Sequence, residues 1–229
     1  MSRRWFFLWM ACAFIAIVFA GFAPTFYLRS LTHQSTGLSL LVFVHGLVFS
    51  AWIISFLLQT LLIARSSLAA HKRLGWAMTG MAVIMISLVC VVTINQARRS
   101  PIELAAFILA LNLFNIFVFA ILVGGGILAR KRSDWHKRLM LSATIALLGA
   151  AIIRVYFPLL PHTAPPNVML LAFLTNDLFF VPCFLYDLKV RRKVHAAHVW
   201  SLALIFASQV ATPVAAMSAG WLDLVRAIQ

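Results

Sequence analysis

The stretch that decides the fold is LAAFILALNLFNIFVFAILVGGGILA, residues 104–129, which contains no ionisable side chain. A helix rises about 1.5 Å per residue, so this stretch forms a helix about 39 Å long. The hydrocarbon core of a bilayer is about 30 Å thick and needs about 20 apolar residues to cross it. The stretch therefore predicts a transmembrane helix, and the chain is expected to be an integral membrane protein.

The composition of the whole chain agrees with that single stretch. Of the 229 residues, 63% are hydrophobic and 10% are charged, whereas soluble proteins average about 45–50% and about 25%. The same length rule predicts an all-α bundle of seven transmembrane spans, in one integral membrane domain over residues 1–229. The expected spans are residues 5–28, 38–64, 74–96, 104–129, 137–160, 167–188 and 198–217.

The charges of the chain are strongly unbalanced, because 19 lysines and arginines face 5 acidic residues and the formal net charge is +14. In so apolar a chain this excess is typical of cytoplasmic loops and argues against a nucleic-acid partner. Fourteen of the basic residues fall in one set of loops and four in the other. The positive-inside rule then predicts an N-terminus inside, a C-terminus outside and a multi-pass protein of the bacterial cytoplasmic membrane.

A short element recurs on the basic side, where three pairs of predicted spans are joined. The copies read Arg65-Ser-Ser-Leu-Ala-Ala-His71-Lys-Arg-Leu, Arg130-Lys-Arg-Ser-Asp-Trp-His136-Lys-Arg-Leu and Arg192-Lys-Val-His-Ala-Ala-His198-Val-Trp. In each copy, five residues separate an arginine that ends one span from a histidine that opens the next. The repeat predicts one leading helix followed by three antiparallel helical hairpins.

Several motif residues resemble those of a known family. They are His45, Gln59, Arg65, His71-Lys-Arg-Leu-Gly75, His136-Lys-Arg-Leu-Met140 and Arg154. In this pattern the chain resembles a family of bacterial "predicted membrane proteins" of unknown function, whose motifs are His-Arg-x-x-Gly and His-Arg-x-Met. The resemblance covers about residues 40–155 and departs from the family at Lys72 and Lys137, where the family more often has arginine. It implies a multi-span membrane fold and supplies no reaction.

The histidines that open three of the predicted helices, His71, His136 and His198, form the first candidate site. Helix N-termini disfavour a positively charged ring, so neutral imidazoles that can bind haem iron or a metal ion are expected there. Non-covalently bound haem b is the cofactor that these residues suggest, with His45 as a further candidate ligand. The alternative is that each histidine caps its helix or lies among lipid phosphates.

The second candidate site surrounds Asp177, a carboxylate about ten residues into the sixth predicted span. Ionisable side chains at this depth are costly and are functional candidates by default. Arg154 in the fifth span is the expected counter-charge, and Asn112 and Asn115 in the fourth are further candidates for binding a small molecule. The alternatives are that Arg154 extends outward to the interface and that Asp177 makes a structural hydrogen bond.

Three functions stay open on these grounds: haem- or metal-linked redox chemistry, small-molecule or proton-coupled transport, and a non-catalytic role in membrane assembly. Three repeated histidines favour the redox hypothesis slightly over a single buried carboxylate. The sequence has no phosphate-binding loop, dinucleotide fingerprint or zinc-protease motif, which argues against a nucleotide-driven pump or a metalloprotease. Apart from a possible small-molecule ligand, the lipid bilayer is the partner that the sequence predicts.

Overall fold

The structure, a computed structural model, describes residues 3–32 and 37–229, and this part of the chain is helical and contains no strand. The α-helices are α1 (Arg3–Phe22), α2 (Leu40–Ala64), α3 (Leu68–Ala97), α4 (Ile102–Leu128), α5 (Ser133–Ala146), α6 (Gly149–Leu159), α7 (Pro165–Leu178), α8 (Phe180–Arg191), α9 (Ala196–Ala216) and α10 (Ala219–Ile228). A π-helical turn, Ala23–Tyr27, continues α1, and a 3-10 turn, Ala129–Lys131, follows α4.

Among the described residues, seven helical stretches are long and apolar enough to cross a membrane. They are Trp5–Tyr27, Leu40–Ala64, Leu68–Ala97, Ile102–Lys131, Ser133–Leu159, Pro165–Arg191 and Ala196–Ala216. The expectation of an all-α chain with seven membrane-length helices is confirmed, and the protein is a multi-pass membrane protein. The largest difference from the expected bounds is in the third span, which begins at Leu68 because the segment before residue 74, with its basic residues Lys72 and Arg73, is already helical.

Two of the seven spans are interrupted near their middle. The fifth divides into α5 and α6, and the sixth divides at Phe179 into α7 and α8. Pro182 explains the second break, because a proline has no N–H to donate to the carbonyl of Leu178. The first break has no proline beside it, and the poor helix former Gly149 begins the second segment. The break in the sixth span thus has a local cause in the sequence, whereas the break in the fifth span has none as clear.

Helix α4 lies at the centre of the bundle, where it packs against α3, α5 and α9. Its buried face is rich in small residues, since Ala105, Ala106 and Ala110 are fully buried. A methyl group on Gly126 would lie 2.9 Å from the Sδ atom of Met140 in α5. Small residues at these positions therefore let neighbouring helices approach α4 closely, which is how helices associate in lipid.

Helix α1 packs against α2 and α6, and its contact with α6 is unusually close. An ideal Cβ atom on Gly21 would lie 2.3 Å from the carbonyl oxygen of Ala151. Two turns earlier in the same helix, the ring of Phe14 is fully buried and contacts the rings of Phe56 and Phe179. The leading helix is therefore part of the packed bundle.

The C-terminal helix α10 folds back over the ends of α3 and α4. The Nε1 atom of Trp221 donates to the carbonyl of Ala106 at 2.9 Å, and Gln229 donates to the carbonyl of Ala97 at 3.0 Å. Val225 is fully buried in the same small apolar cluster. This amphipathic C-terminal helix therefore covers one end of the bundle.

Candidate functional site

A cavity of about 70 Å³, with a mainly apolar wall that includes six polar side chains, lies between α4, α7, α9 and the broken fifth span. Ala146, at the end of α5, and Gly149, at the start of α6, both line it, so the cavity adjoins the helix break. Its polar lining residues come from three helices and are Asn112, Asn115, Asn176, Ser208, Gln209 and Thr212. The cavity therefore brings together Asn112 and Asn115, two candidates from the sequence, and Asn176, which is next to Asp177 in the chain.

The lining hydroxyl groups use their hydrogens within α9. Ser208 Oγ donates to the carbonyl of Ile205 at 2.7 Å, and Thr212 Oγ1 donates to the carbonyl of Ser208 at 2.8 Å. A hydroxyl that donates in this way keeps its oxygen lone pairs free to accept. These two side chains therefore offer acceptors to the cavity.

The amide groups beside the cavity are held by Asp177. Gln209 Nε2 donates to Asp177 Oδ1 at 3.0 Å, and the side chain of Asn176 interacts with the same carboxylate. Asn176 is 3% exposed, and its Oδ1 atom is buried without a hydrogen-bond partner. An unpaired buried acceptor is costly. Asn176 therefore needs a donor that the described part of the chain does not supply.

Arg154 does not lie beside Asp177 as the sequence suggested. Its Nη1 atom donates to the carbonyl of Ala150 at 2.7 Å, and its guanidinium lies 4.5 Å from the centroid of the Phe22 ring. It also interacts electrostatically with His45. The reason is geometric, since Arg154 lies on the face of α6 that packs against α1. Within the described residues, no cationic group is within 4 Å of Asp177.

His71 and His136 lie close together, and their ring centroids are 6.2 Å apart with the ring planes at 88°. The Nδ1 atom of His136 is 2.8 Å from the carbonyl oxygen of Gly126. The Nδ1 atom of His71 is buried without a partner. Both histidines lie in the first turn of their helices, α3 and α5, as the repeat predicted.

His198 belongs to a different cluster, although it also lies in the first turn of its helix. It is fully buried, its Nδ1 atom is 3.4 Å from Ser142 Oγ, and its Nε2 atom is 4.0 Å from Asp187 Oδ2. The structure therefore brings together two of the three repeated histidines. Among the described residues, no group of three or more His, Cys, Asp or Glu side chains is arranged to hold a metal ion.

A buried ion pair between Arg138 and Asp187 was not predicted from the sequence. The two side chains are 1% and 0% exposed. Arg138 Nε donates to Asp187 Oδ1 at 2.9 Å, and Arg138 Nη2 donates to the same oxygen. The backbone N–H of His195 donates to Asp187 Oδ2 at 3.0 Å. Both residues lie one position from the end of a predicted span, and opposite charges at these two ends were the signal that could have revealed the pair.

His195 caps the N-terminus of α9. Its Nδ1 atom accepts a hydrogen bond from the backbone N–H of Ala197 at 3.0 Å. Burial lowers the pKa of His195 below its ordinary value, and the positive charges of Arg138 and Arg191 lower it further. The ring is therefore neutral at neutral pH, which leaves Nδ1 free to accept.

No family model matches the chain, and no curated protein or solved structure shows a significant match to it.

Proposed function

We propose that this protein transports a small polar solute across the bacterial cytoplasmic membrane, with the N-terminus inside and the C-terminus outside. The observation that carries the proposal is the cavity beside the interrupted spans, into whose wall six polar side chains are built. The redox hypothesis that the repeated histidines favoured becomes the second candidate, because His198 lies away from the other two.

Interrupted helices support this proposal for a physical reason. Within hydrocarbon, a backbone carbonyl or N–H that loses its helical partner costs several kcal/mol, so non-helical backbone is tolerated where it faces protein or a cavity. Many transporters bind their substrates near the middle of the membrane, at the broken ends of discontinuous helices. The break that precedes Gly149 and the one at Phe179, three residues after Asn176, have this placement.

Replacing Asn115 with leucine tests the transport proposal. Purified protein is reconstituted into liposomes, and stopped-flow light scattering follows the entry of urea, formamide and methylammonium chloride. We expect at least one solute to enter faster than in protein-free liposomes. The variant should slow that entry about tenfold, because a leucine removes a polar group and occupies the cavity.

Asn167→Leu is the matched control, because Asn167 is exposed in the first turn of α7. It should transport like the original protein. If none of the solutes enters faster than in protein-free liposomes, the proposed function is wrong.

The second candidate function is haem- or metal-linked redox chemistry at His71 and His136. If haem or a metal ion is bound here, His71 and His136 would hold it and it would supply the redox chemistry. The centroids of the two rings are 6.2 Å apart. The carbonyl of Gly126 beside His136 Nδ1 resembles the backbone contact that often orients a ligating histidine and leaves its other nitrogen free.

An optical spectrum tests this candidate. Protein expressed with ample haem and purified in detergent should show a Soret band that shifts on reduction, and His71→Ala should remove the band because one axial ligand is lost. His162→Ala, in the loop between α6 and α7, is the control and should keep the spectrum unchanged. Absence of a Soret band from the original protein would exclude haem.

We also propose membership of the bacterial membrane-protein family whose motifs the chain resembles. The clustering of the motif residues supports it. His71 interacts with the backbone of Gln59, and a methyl group on Gly75 would lie 3.4 Å from Gln59 Nε2. His136 lies against His71, so motif residues from three helices meet at one place.

A further inference from the structure

The cavity also indicates what kind of solute it takes. We infer that its ligand is a small monovalent cation with N–H donors, of the size of ammonium or methylammonium. This inference rests on the proposed transport function and names the substrate class for the same cavity.

The volume of the cavity limits the ligand to a few atoms. A cavity of 150 Å³ holds benzene, with six non-hydrogen atoms, and one water takes up about 30 Å³ of the liquid. A cavity of about 70 Å³ therefore has room for roughly three non-hydrogen atoms. This size excludes sugars, amino acids and nucleosides in the described conformation.

The wall of the cavity offers a ligand several hydrogen-bond acceptors. Ser208 and Thr212 have already used their hydroxyl hydrogens on backbone carbonyls. The amide of Gln209 donates to Asp177, which leaves its oxygen as an acceptor, and the Oδ1 atom of Asn176 is buried without a partner. A ligand with several N–H groups satisfies these acceptors, while Asn112 and Asn115 add amide groups that can donate or accept.

The charge of Asp177 selects a cation. An ionised carboxylate inside a membrane protein is expensive unless a positive charge lies close to it. Among the described residues Asp177 has no cationic partner within 4 Å, and Arg154 is engaged elsewhere. Gln209 and Asn176 line the cavity and interact with the carboxylate. The carboxylate polarises these amides, which makes their oxygen atoms more negative toward the ligand. A cationic ligand in the cavity supplies a positive charge that acts on Asp177 across these two side chains, because Asp177 does not itself line the cavity.

The remaining lining residues favour an alkylammonium ion over a bare alkali ion. Ile153, Met169 and Phe173 line the cavity together with the polar groups. A sodium or potassium ion needs oxygen ligands on all sides to replace its hydration shell. A methylammonium ion donates from one end and places its methyl group against apolar side chains, and the face of an aromatic ring attracts such a cation.

Uptake of radiolabelled methylammonium into proteoliposomes tests the inference. The assay is run at pH 6, where little of the neutral amine is present to cross the lipid unaided. We expect saturable uptake that ammonium inhibits and that potassium and tetramethylammonium do not. Asp177→Asn should lower the initial rate about tenfold, as loss of a counter-charge worth one decade in affinity would, and Asp177→Glu should retain most of it.

Asp223→Asn is the matched control, because Asp223 is an exposed carboxylate on α10. It should transport methylammonium at the original rate. A thermal shift of the unmodified protein gives a second readout that needs no variant, since a ligand that binds the folded state raises the midpoint of unfolding. Methylammonium should raise it and urea should not.

Three outcomes overturn the inference. In the first, urea or formamide enters the proteoliposomes and methylammonium does not, which leaves the transport proposal intact. In the second, potassium competes as well as ammonium, which indicates an alkali-ion site. In the third, none of these solutes enters, which also overturns the proposed function.

Discussion

Replacing Asp187 with alanine is expected to lower the free energy of unfolding by up to about 3–5 kcal/mol, because the buried guanidinium of Arg138 loses its buried partner and keeps only the exposed carboxylate of Asp134, 3.4 Å from its Nη1 atom. Both side chains are almost completely inaccessible, and Arg138 reaches Asp187 through two of its nitrogens. The backbone N–H of His195 also loses its acceptor. Thermal unfolding in detergent should show a midpoint lower by roughly 6–20 °C.

A double variant distinguishes the net contribution of the ion pair to stability from the cost of leaving one buried charge without its partner. In Arg138→Met/Asp187→Leu neither side chain carries a charge, and such apolar replacements of a buried pair are often neutral or stabilising. The double variant should therefore be more stable than Asp187→Ala alone. Asp223→Ala, which breaks the exposed pair with Arg226, should cost less than about 1 kcal/mol. Equal losses in Asp187→Ala and Asp223→Ala would contradict the importance of the buried pair.

Replacing Gly21 with alanine is expected to destabilise the protein by about 1–3 kcal/mol, because the added methyl group has no space. The Cβ atom would lie 2.3 Å from the carbonyl oxygen of Ala151. The obstacle is backbone, so it cannot move aside as a flexible side chain does. The two helices would have to separate, and α1 would lose part of its packing on α6.

Gly80→Ala is the matched control for this prediction. Gly80 lies within α3, and a methyl group there meets no atom within 4 Å. Alanine is the better helix former by about 1 kcal/mol, so this variant should be as stable as the original protein or slightly more stable. Thermal unfolding of the two variants side by side distinguishes the effects. If Gly21→Ala unfolds at the same temperature as Gly80→Ala, the close approach of α1 to α6 is wrong.

The seven spans were predictable because hydropathy depends on local composition alone. A run such as residues 104–129 must avoid water wherever its neighbours lie. The repeat also predicted correctly that His71, His136 and His198 would lie in the first turns of their helices. Local sequence was sufficient for both features because neither depends on which helices pack together.

The composition of the two polar sites was less predictable because it depends on packing. His198 occupies the same motif position as His71 and His136. However, α9 begins against α5 and α8, so the neighbours of His198 are Ser142 and Asp187. Asp177 was identified by its depth, and its partner Gln209 was not, because nothing local in the sequence indicates that the seventh span lies beside Asp177. The carboxylate and the amide meet only because α7 and α9 are adjacent.

The pair between Arg138 and Asp187 also has a consequence for the order of events during synthesis. The two residues are 49 positions apart. At about 5–20 residues per second, Arg138 leaves the ribosome roughly 2–10 s before its partner exists. During that interval it lacks its buried partner, and its positive charge helps to retain the inner end of the fifth span on the cytoplasmic side under the proposed orientation. The same arginine can thus orient the nascent chain first and become a buried ion-pair partner once the sixth span has been made.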